Sequence, residues 1–232
     1  MSRDFLIIGA GRYGRYTAIK LHDLGEQVMI VDKDEDRINQ ILPYVTDARI
    51  GDSTDTAFMS SLGVKNYDIC IVAIGDDFLS SLQTTFTLDE LGARIIIARA
   101  TSHRQEKFLL RNGASQVVFP ERELGIWTAI RFSSNSISNY VDVSDGYGVY
   151  EIDVPARWSG HRIGELDVRR KYHINILGVR DPFTHKVLPP GSDHSKESPP
   201  PEMNMDIGFE TMLHRGQTML VLGKTEAVHK IL

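Results

Sequence analysis

Over the first 120 residues, short apolar runs alternate with longer stretches whose apolar positions recur at helical spacing. Residues 5–8, 27–31, 48–50, 68–74, 94–98 and 116–119 are β-branched or continuously apolar, as strands buried on both faces should be. The segments 12–24, 35–42, 56–62, 79–91 and 104–112 between them have helical length. Strand and helix in strict alternation predict parallel strands joined by right-handed crossovers, and so a Rossmann-like, doubly wound α/β sheet. Gly25, Gly63, Gly92 and Gly113 each fall just past a predicted helix, where a left-handed C-cap suits glycine.

The pattern then changes. A helix is predicted from 121 to about 140, with Leu124, Trp127, Ile130 and Ile137 on one face. After a turn-rich stretch at 142–148, strands are predicted at 149–154, 174–179, 187–188 and 218–222, with short helices at 164–171 and 225–232. The expected organisation is therefore a nucleotide-binding lobe over 1–120, an interlobe helix and linker over 121–146, and a small α+β lobe over 147–232. The Pro/Ser-rich segment 189–201 reads as an exposed loop.

Composition narrows the function classes. Hydrophobic residues make up 41% and charged residues 25%, which excludes a wholly disordered or fibrous chain. The net charge of -5 argues against a nucleic-acid partner or an anionic membrane surface as the main ligand. The longest apolar run, 69–74, is far short of the ~20 residues of a membrane span. The N-terminal residues run straight into the first strand without a signal-peptide pattern, and the single Cys70 forms no internal disulfide. The expected location is the cytoplasm, with membrane association only through a partner.

The sharpest chemical signal is Gly9-Ala10-Gly11-Arg12-Tyr13-Gly14, directly after one predicted strand and directly before a helix. Glycines here let the turn tighten and let the backbone approach a pyrophosphate at the helix N-terminus, where free N–H groups and the dipole favour anions. The second strand ends at Asp32, 18 residues past Gly14, where a carboxylate accepts from ribose hydroxyls; Lys33 follows it. An acid with no arginine in its place disfavours a 2′-phosphate, leaving NAD, ATP, ADP and AMP open. Arg12, inside the loop, is placed to reach a terminal phosphate, though an exposed arginine suits the same position.

Other candidates carry less. Tyr16 and Lys20 have the spacing of a reductase Tyr/Lys pair, but they lie on the first helix and read as surface. His161, His173 and His185 show no metal-ligand spacing, and Cys70 sits in a buried strand with no basic neighbour, a structural thiol. An enzyme is not expected, and an NAD-dependent oxidoreductase is the rival reading.

The order of motifs nonetheless resembles a known family. Gly9 to Gly14, Val31-Asp32, Gly51-Asp52-Ser53-Thr54, Ile71-Val72-Ala73-Ile74-Gly75, Ala98-Arg99-Ala100 and Phe119-Pro120-Glu121-Arg122-Glu123-Leu124-Gly125 are similar to the RCK proteins, regulators of potassium conductance. The cytosolic gating subunits of the Ktr and Trk uptake systems are the members most resembled. The stretch from Trp158 to Leu166 and the stretch from Arg215 to Gly223 resemble that family's C-lobe. The resemblance implies an ATP or ADP site, with NAD, NADH or AMP as alternatives. It places the pyrophosphate on Gly9 to Gly14, the ribose on Asp32, and the adenine against Asp52, Ser53, Ala73, Ile74 and Gly75. It further implies that Arg99 approaches phosphate, that Arg12 reaches a phosphate bound in the neighbouring subunit, and that Glu121 binds Mg²⁺ or Ca²⁺ at a dimer interface. A glutamate at a helix start equally suits the helix dipole. The implied partners are a membrane potassium-translocating subunit of the KtrB or TrkH type and other copies of the chain, as a homodimer assembling to an octameric ring. Some relatives bind cyclic di-AMP between C-lobes, and the long 189–201 insertion puts C-lobe ligand residues in doubt.

Overall fold

The computed structural model describes residues 2–182 and 201–232. Two compact units divide between Glu123 and Leu124.

In the first unit, β1 (Asp4–Ile8), β2 (Gln27–Asp32), β3 (Asp47–Ile50), β4 (Ile69–Val72), β5 (Ile96–Arg99) and β6 (Gln116–Val118) alternate with α1 (Arg12–Asp23), α2 (Glu35–Ile41), α3 (Thr56–Ser61), α4 (Phe78–Glu90) and α5 (His103–Arg111). Every one of these strands and helices stands within two residues of its predicted bounds. All neighbouring strands pair in parallel, in the order β3-β2-β1-β4-β5-β6. The central strands are buried on both faces: β4 is enclosed along its whole length, and Leu6, Ile7 and Ile8 of β1 are buried between the two apolar clusters that flank the sheet. Each such side chain contributes about 1.5–3 kcal/mol of burial, so β1 is fixed in register against β2 and β4, with Ile8 opposite both Val31 and Val72. That register sets the loop after β1 beside the ends of β2 and β4. The four predicted C-cap glycines all take positive φ.

The unit boundary falls inside α6 (Pro120–Phe132). The sequence pattern extends this helix to about 140, and the structure corrects it. The Ser133 hydroxyl donates to the carbonyl of Ile130 at 2.7 Å, the helix stops, and Ile137–Ser144 forms β7. Ile137 lies seven residues after Ile130, a spacing that fits a helix face, yet its buried side chain faces the core from a strand paired with β8 (Tyr147–Asp153). With β9 (Asn175–Arg180) and β10 (Thr218–Lys224) these make an antiparallel sheet ordered β7-β8-β10-β9. The single helix expected at 164–171 is two short ones, α7 (Ile163–Leu166) and α8 (Val168–Tyr172), parted by Asp167 at φ 45°. The last helix, α9, is Thr225–His229. Trp158, Tyr150 and Ile137 anchor this unit's own core. The strand expected at 187–188, His185 and most of the Pro/Ser-rich segment lie outside the described residues.

Candidate functional site

The order of the parallel sheet reverses between β1 and β4, and a crevice opens beyond the strand ends at such a point. A cleft of about 540 Å³ occupies it here. Its floor is the loop after β1. Gly9 takes φ +103°, and a Cβ there would stand 3.2 Å from the backbone of Ala73. Gly14 is tighter: a Cβ would lie 1.9 Å from the Gly9 carbonyl oxygen. The two outer glycines thus let α1 start against β1, while a Cβ on Gly11 would meet nothing within 4 Å. Gly11 faces the cleft.

Helix α1 also begins differently from α2, α3, α4 and α5. Asp34, Asp55, Asp77 and Ser102 cap α2, α3, α4 and α5 by accepting from backbone N–H groups. Gly11 makes no side-chain cap, and no acid stands in the first turn of α1. The leading N–H groups of α1 are therefore left for an anion from outside the helix, at the positive end of its dipole.

Asp32 ends β2 and is buried. One oxygen, Oδ2, accepts from the N–H of Ala10 at 2.7 Å; the other, Oδ1, accepts from the N–H of Asp34 at 2.9 Å. Arg37 on α2 stands 3.6 Å from Oδ2. Each oxygen keeps a lone pair for a further donor such as a ribose hydroxyl. Beside Asp32, just past the end of β3, Asp52 accepts from the N–H and the hydroxyl of Thr54, and these bonds hold its carboxyl below the usual range, with Lys33 acting the same way. Ser53 is buried, its hydroxyl 2.7 Å from that of Thr84. Asp77, held low by its bonds from Ser80, lies on the loop after β4 with Asp76.

Of the residues singled out in the sequence, Gly9, Gly11, Arg12, Tyr13, Asp32, Lys33, Asp52, Ser53, Ala73, Ile74, Gly75, Arg99 and Glu121 all line this one cleft. Ala10 and Gly14 do not: the Ala10 side chain is buried in the core and its amide serves Asp32, and Gly14 is packed on Gly9 and Ala73. Burial raises the Tyr13 hydroxyl above its ordinary pKa. Arg37, Asp76, Asp77 and Ser80 line the cleft without having been foreseen. Asp77 caps α4, accepting from the N–H and the hydroxyl of Ser80, and Arg37 lies in the first turn of a helix that Asp34 starts.

Glu121 is held by Arg99, its ion-pair partner. Among the described residues no group of three or more His, Cys, Asp or Glu side chains is placed to hold a metal ion. Glu121 alone supplies one carboxylate, so a cation here would draw its other oxygens from phosphate and water. Tyr16 and Lys20 are exposed on α1 and take no part in the cleft. Cys70 is fully buried in β4, and burial pushes its thiol up to about 12, which disfavours the thiolate that a nucleophile requires. No described helix is long and apolar enough to cross a membrane.

Comparison with known proteins adds to this geometry. The family model of the TrkA-N domain matches residues 5–120. Ktr system potassium uptake protein C of Bacillus subtilis (strain 168) is 37% identical over 180 residues, covering 78% of this chain and 81% of the relative. Ktr system potassium uptake protein A of the same organism is 34% identical over 179 residues, covering 77% and 81%. The crystal structure of the GsuK RCK domain superposes over 100% of this chain with a TM-score of 0.63 at 20% identity. This chain spans about half of that one, 48%, and the likeness is one of fold.

Proposed function

Because the chain belongs to the TrkA-N family, with the Ktr potassium uptake proteins among its relatives, we propose that it is the nucleotide-sensing regulatory subunit of a potassium uptake system, a binding protein and not an enzyme. The observation that carries this reading is the shared cleft of an uncapped α1 N-terminus at Gly11 and a ribose acceptor at Asp32. The first suits a phosphate and the second a sugar, and both line one cleft. Arg12, exposed at the start of α1 on the cleft wall, favours ATP or ADP, which carry a free terminal phosphate.

Regulation requires that the ligand bind two states of the assembly unequally, since equal affinity shifts nothing. In the proposed mechanism the chain works as a homodimer within an octameric ring, and Arg12 meets the terminal phosphate held by the neighbouring copy. A longer nucleotide then spans two copies and a shorter one does not. Glu121 joins Mg²⁺ or Ca²⁺ to those phosphates. Helix α6 exposes Leu124, Ile126 and Phe132, apolar area that suits packing against a second copy. The ring acts on a membrane potassium-translocating subunit of the KtrB or TrkH type and is held at the inner face of the membrane by it.

The test is potassium flux into vesicles carrying such a membrane subunit, with this chain added under ATP, ADP or no nucleotide. Flux that depends on both chain and nucleotide is expected. Flux indifferent to the chain under all three conditions would overturn the reading.

A further inference from the structure

Arg99 ends β5, Glu121 is the second residue of α6, and the two are joined as an ion pair in the lining of the cleft. They differ in what surrounds them. The Arg99 side chain is 17% exposed and that of Glu121 60%. The guanidinium packs against Gly75: a Cβ at that position would stand 2.0 Å from Nη1 and 2.9 Å from Nη2. Nη2 donates to Glu121. Nε is enclosed and finds no hydrogen-bond partner among the described residues.

An arginine offers Nε and Nη2 together as one planar edge that fits two oxygens of a carboxylate or phosphate at once. Here that edge is used at a single donor, which makes Glu121 an incomplete partner. An anion of higher charge with several oxygens on one centre can engage both donors. Glu121 is open to water, so a displaced carboxylate is readily hydrated; Arg99 has no comparable alternative.

Resting on the nucleotide reading above, we propose that Glu121 is a specificity-determining residue of the cleft, an internal competitor that holds Arg99 until a ligand phosphate takes its place. The exchange discriminates by phosphate. A nucleoside without phosphate leaves the pair intact and gains nothing from Arg99. A ligand whose phosphate chain runs beyond the glycine loop must open the pair, and recovers the cost only if its phosphate outcompetes one carboxylate. In the absence of a divalent cation, Glu121 thereby raises the threshold for weakly charged ligands and lowers the affinity of ligands that use Arg99.

Calorimetric titration of adenosine and of ADP into the full chain, at low salt with EDTA to exclude cation bridging, separates this role from others. Glu121→Gln is expected to tighten ADP roughly two- to fivefold, the range of a partly exposed charge contact, and to leave adenosine unchanged. In an Arg99→Gln background the same substitution is expected to lose its effect on ADP. ADP binding that is unchanged or weakened by Glu121→Gln in EDTA overturns the inference while leaving the nucleotide reading intact. Equal tightening with and without Arg99 also overturns it, since that would be general charge repulsion. If neither ligand binds the unmodified chain, the nucleotide reading fails and the inference falls with it.

Discussion

Ala10 donates its backbone N–H to Oδ2 of Asp32 at 2.7 Å, a buried bond that ties together residues 22 apart in sequence. Through it the carboxylate proposed to receive a ribose also fixes the loop that cradles the phosphate. The second oxygen is committed to the N–H of Asp34, which begins α2. Removing the carboxylate therefore acts on the fold as well as on the ligand. Asp32→Ala leaves the buried N–H of Ala10 unpaired, a cost of about 1–3 kcal/mol, and a melting temperature lower by about 2–4 °C per kcal/mol is expected. Asp32→Asn keeps one accepting oxygen and should fall less. Differential scanning fluorimetry with nucleotide titration checks both, and an unchanged melting temperature in Asp32→Ala would show the Ala10 bond to be dispensable.

The outer and middle glycines of the loop predict different failures. A Cβ at Gly14 would lie 1.9 Å from the Gly9 carbonyl oxygen, a clash with backbone that no rotamer relieves. Gly14→Ala should therefore destabilise the fold, by several kcal/mol on the scale of overpacked cores. Gly11 has an ordinary extended backbone at φ -63° and free space around its missing Cβ, so Gly11→Ala should change stability by less than about 1 kcal/mol. Its methyl group projects where the pyrophosphate would approach, and nucleotide affinity should fall at least tenfold. Urea unfolding and calorimetry on the two variants distinguish a structural glycine from a recognition glycine. If Gly11→Ala binds normally, the ligand does not lie on this loop.

The first unit was legible because its strands are short and bracketed by turn residues, and because the central strands β1 and β4 are apolar runs whose burial leaves no rival period. The site was legible where chemistry sits in one local stretch: the loop from Gly9 to Gly14, and Asp32 at a strand end. Arg37, Asp76 and Ser80 were not, since nothing near them in sequence records that α2 and the loop after β4 turn toward the same cleft. The extent of α6 was misread for a physical reason too. Ile130 and Ile137 satisfy a helix repeat, and only the capping of the Ile130 carbonyl by Ser133 and the pairing of Ile137 with Ile152 on β8 reveal the strand. Nor does any motif announce that Arg99 and Glu121 meet, 22 residues apart. That pairing depends on where β5 and α6 end in space.

Cys70 makes stability depend on alkaline pH. Its thiol, raised to about 12 by burial in β4, ionises near 8.5 in the unfolded chain. Between those values the folded chain keeps a proton that the unfolded chain loses. Its contribution is thus complete below about 8.5 and declines as pH rises. Across pH 8 to 10 the stability of the unmodified chain relative to Cys70→Ala should fall by about 2 kcal/mol. Tyr13, Tyr67 and Tyr150 are raised in the same direction by burial, but they remain in both proteins and cancel in the difference. Urea unfolding at the two pH values measures it. A difference that stays constant would mean the thiol is hydrated in the folded chain.

Arg12 decides between a free terminal phosphate and a dinucleotide. It is the first residue of α1, exposed and on the cleft wall, so its guanidinium is available to a phosphate that extends past the glycine loop. ATP and ADP carry such a phosphate and NAD does not, whereas AMP places its single phosphate on the loop itself. Arg12→Ala should therefore weaken ATP by roughly fivefold or more, a charge-assisted contact discounted for exposure, and change AMP little. Thermal-shift titration provides the scale, because a ligand at 100 times its dissociation constant stabilises the folded state by about 2.7 kcal/mol. ATP and ADP are expected to stabilise the unmodified chain more than NADH at equal concentration. Stabilisation by NADH alone would assign the cleft to a dinucleotide and leave Arg12 without a terminal phosphate to meet. Equal losses for ATP and AMP in Arg12→Ala would place its effect at the loop, on the first phosphate, and the spanning of two copies by a longer nucleotide would then have no residue to carry it.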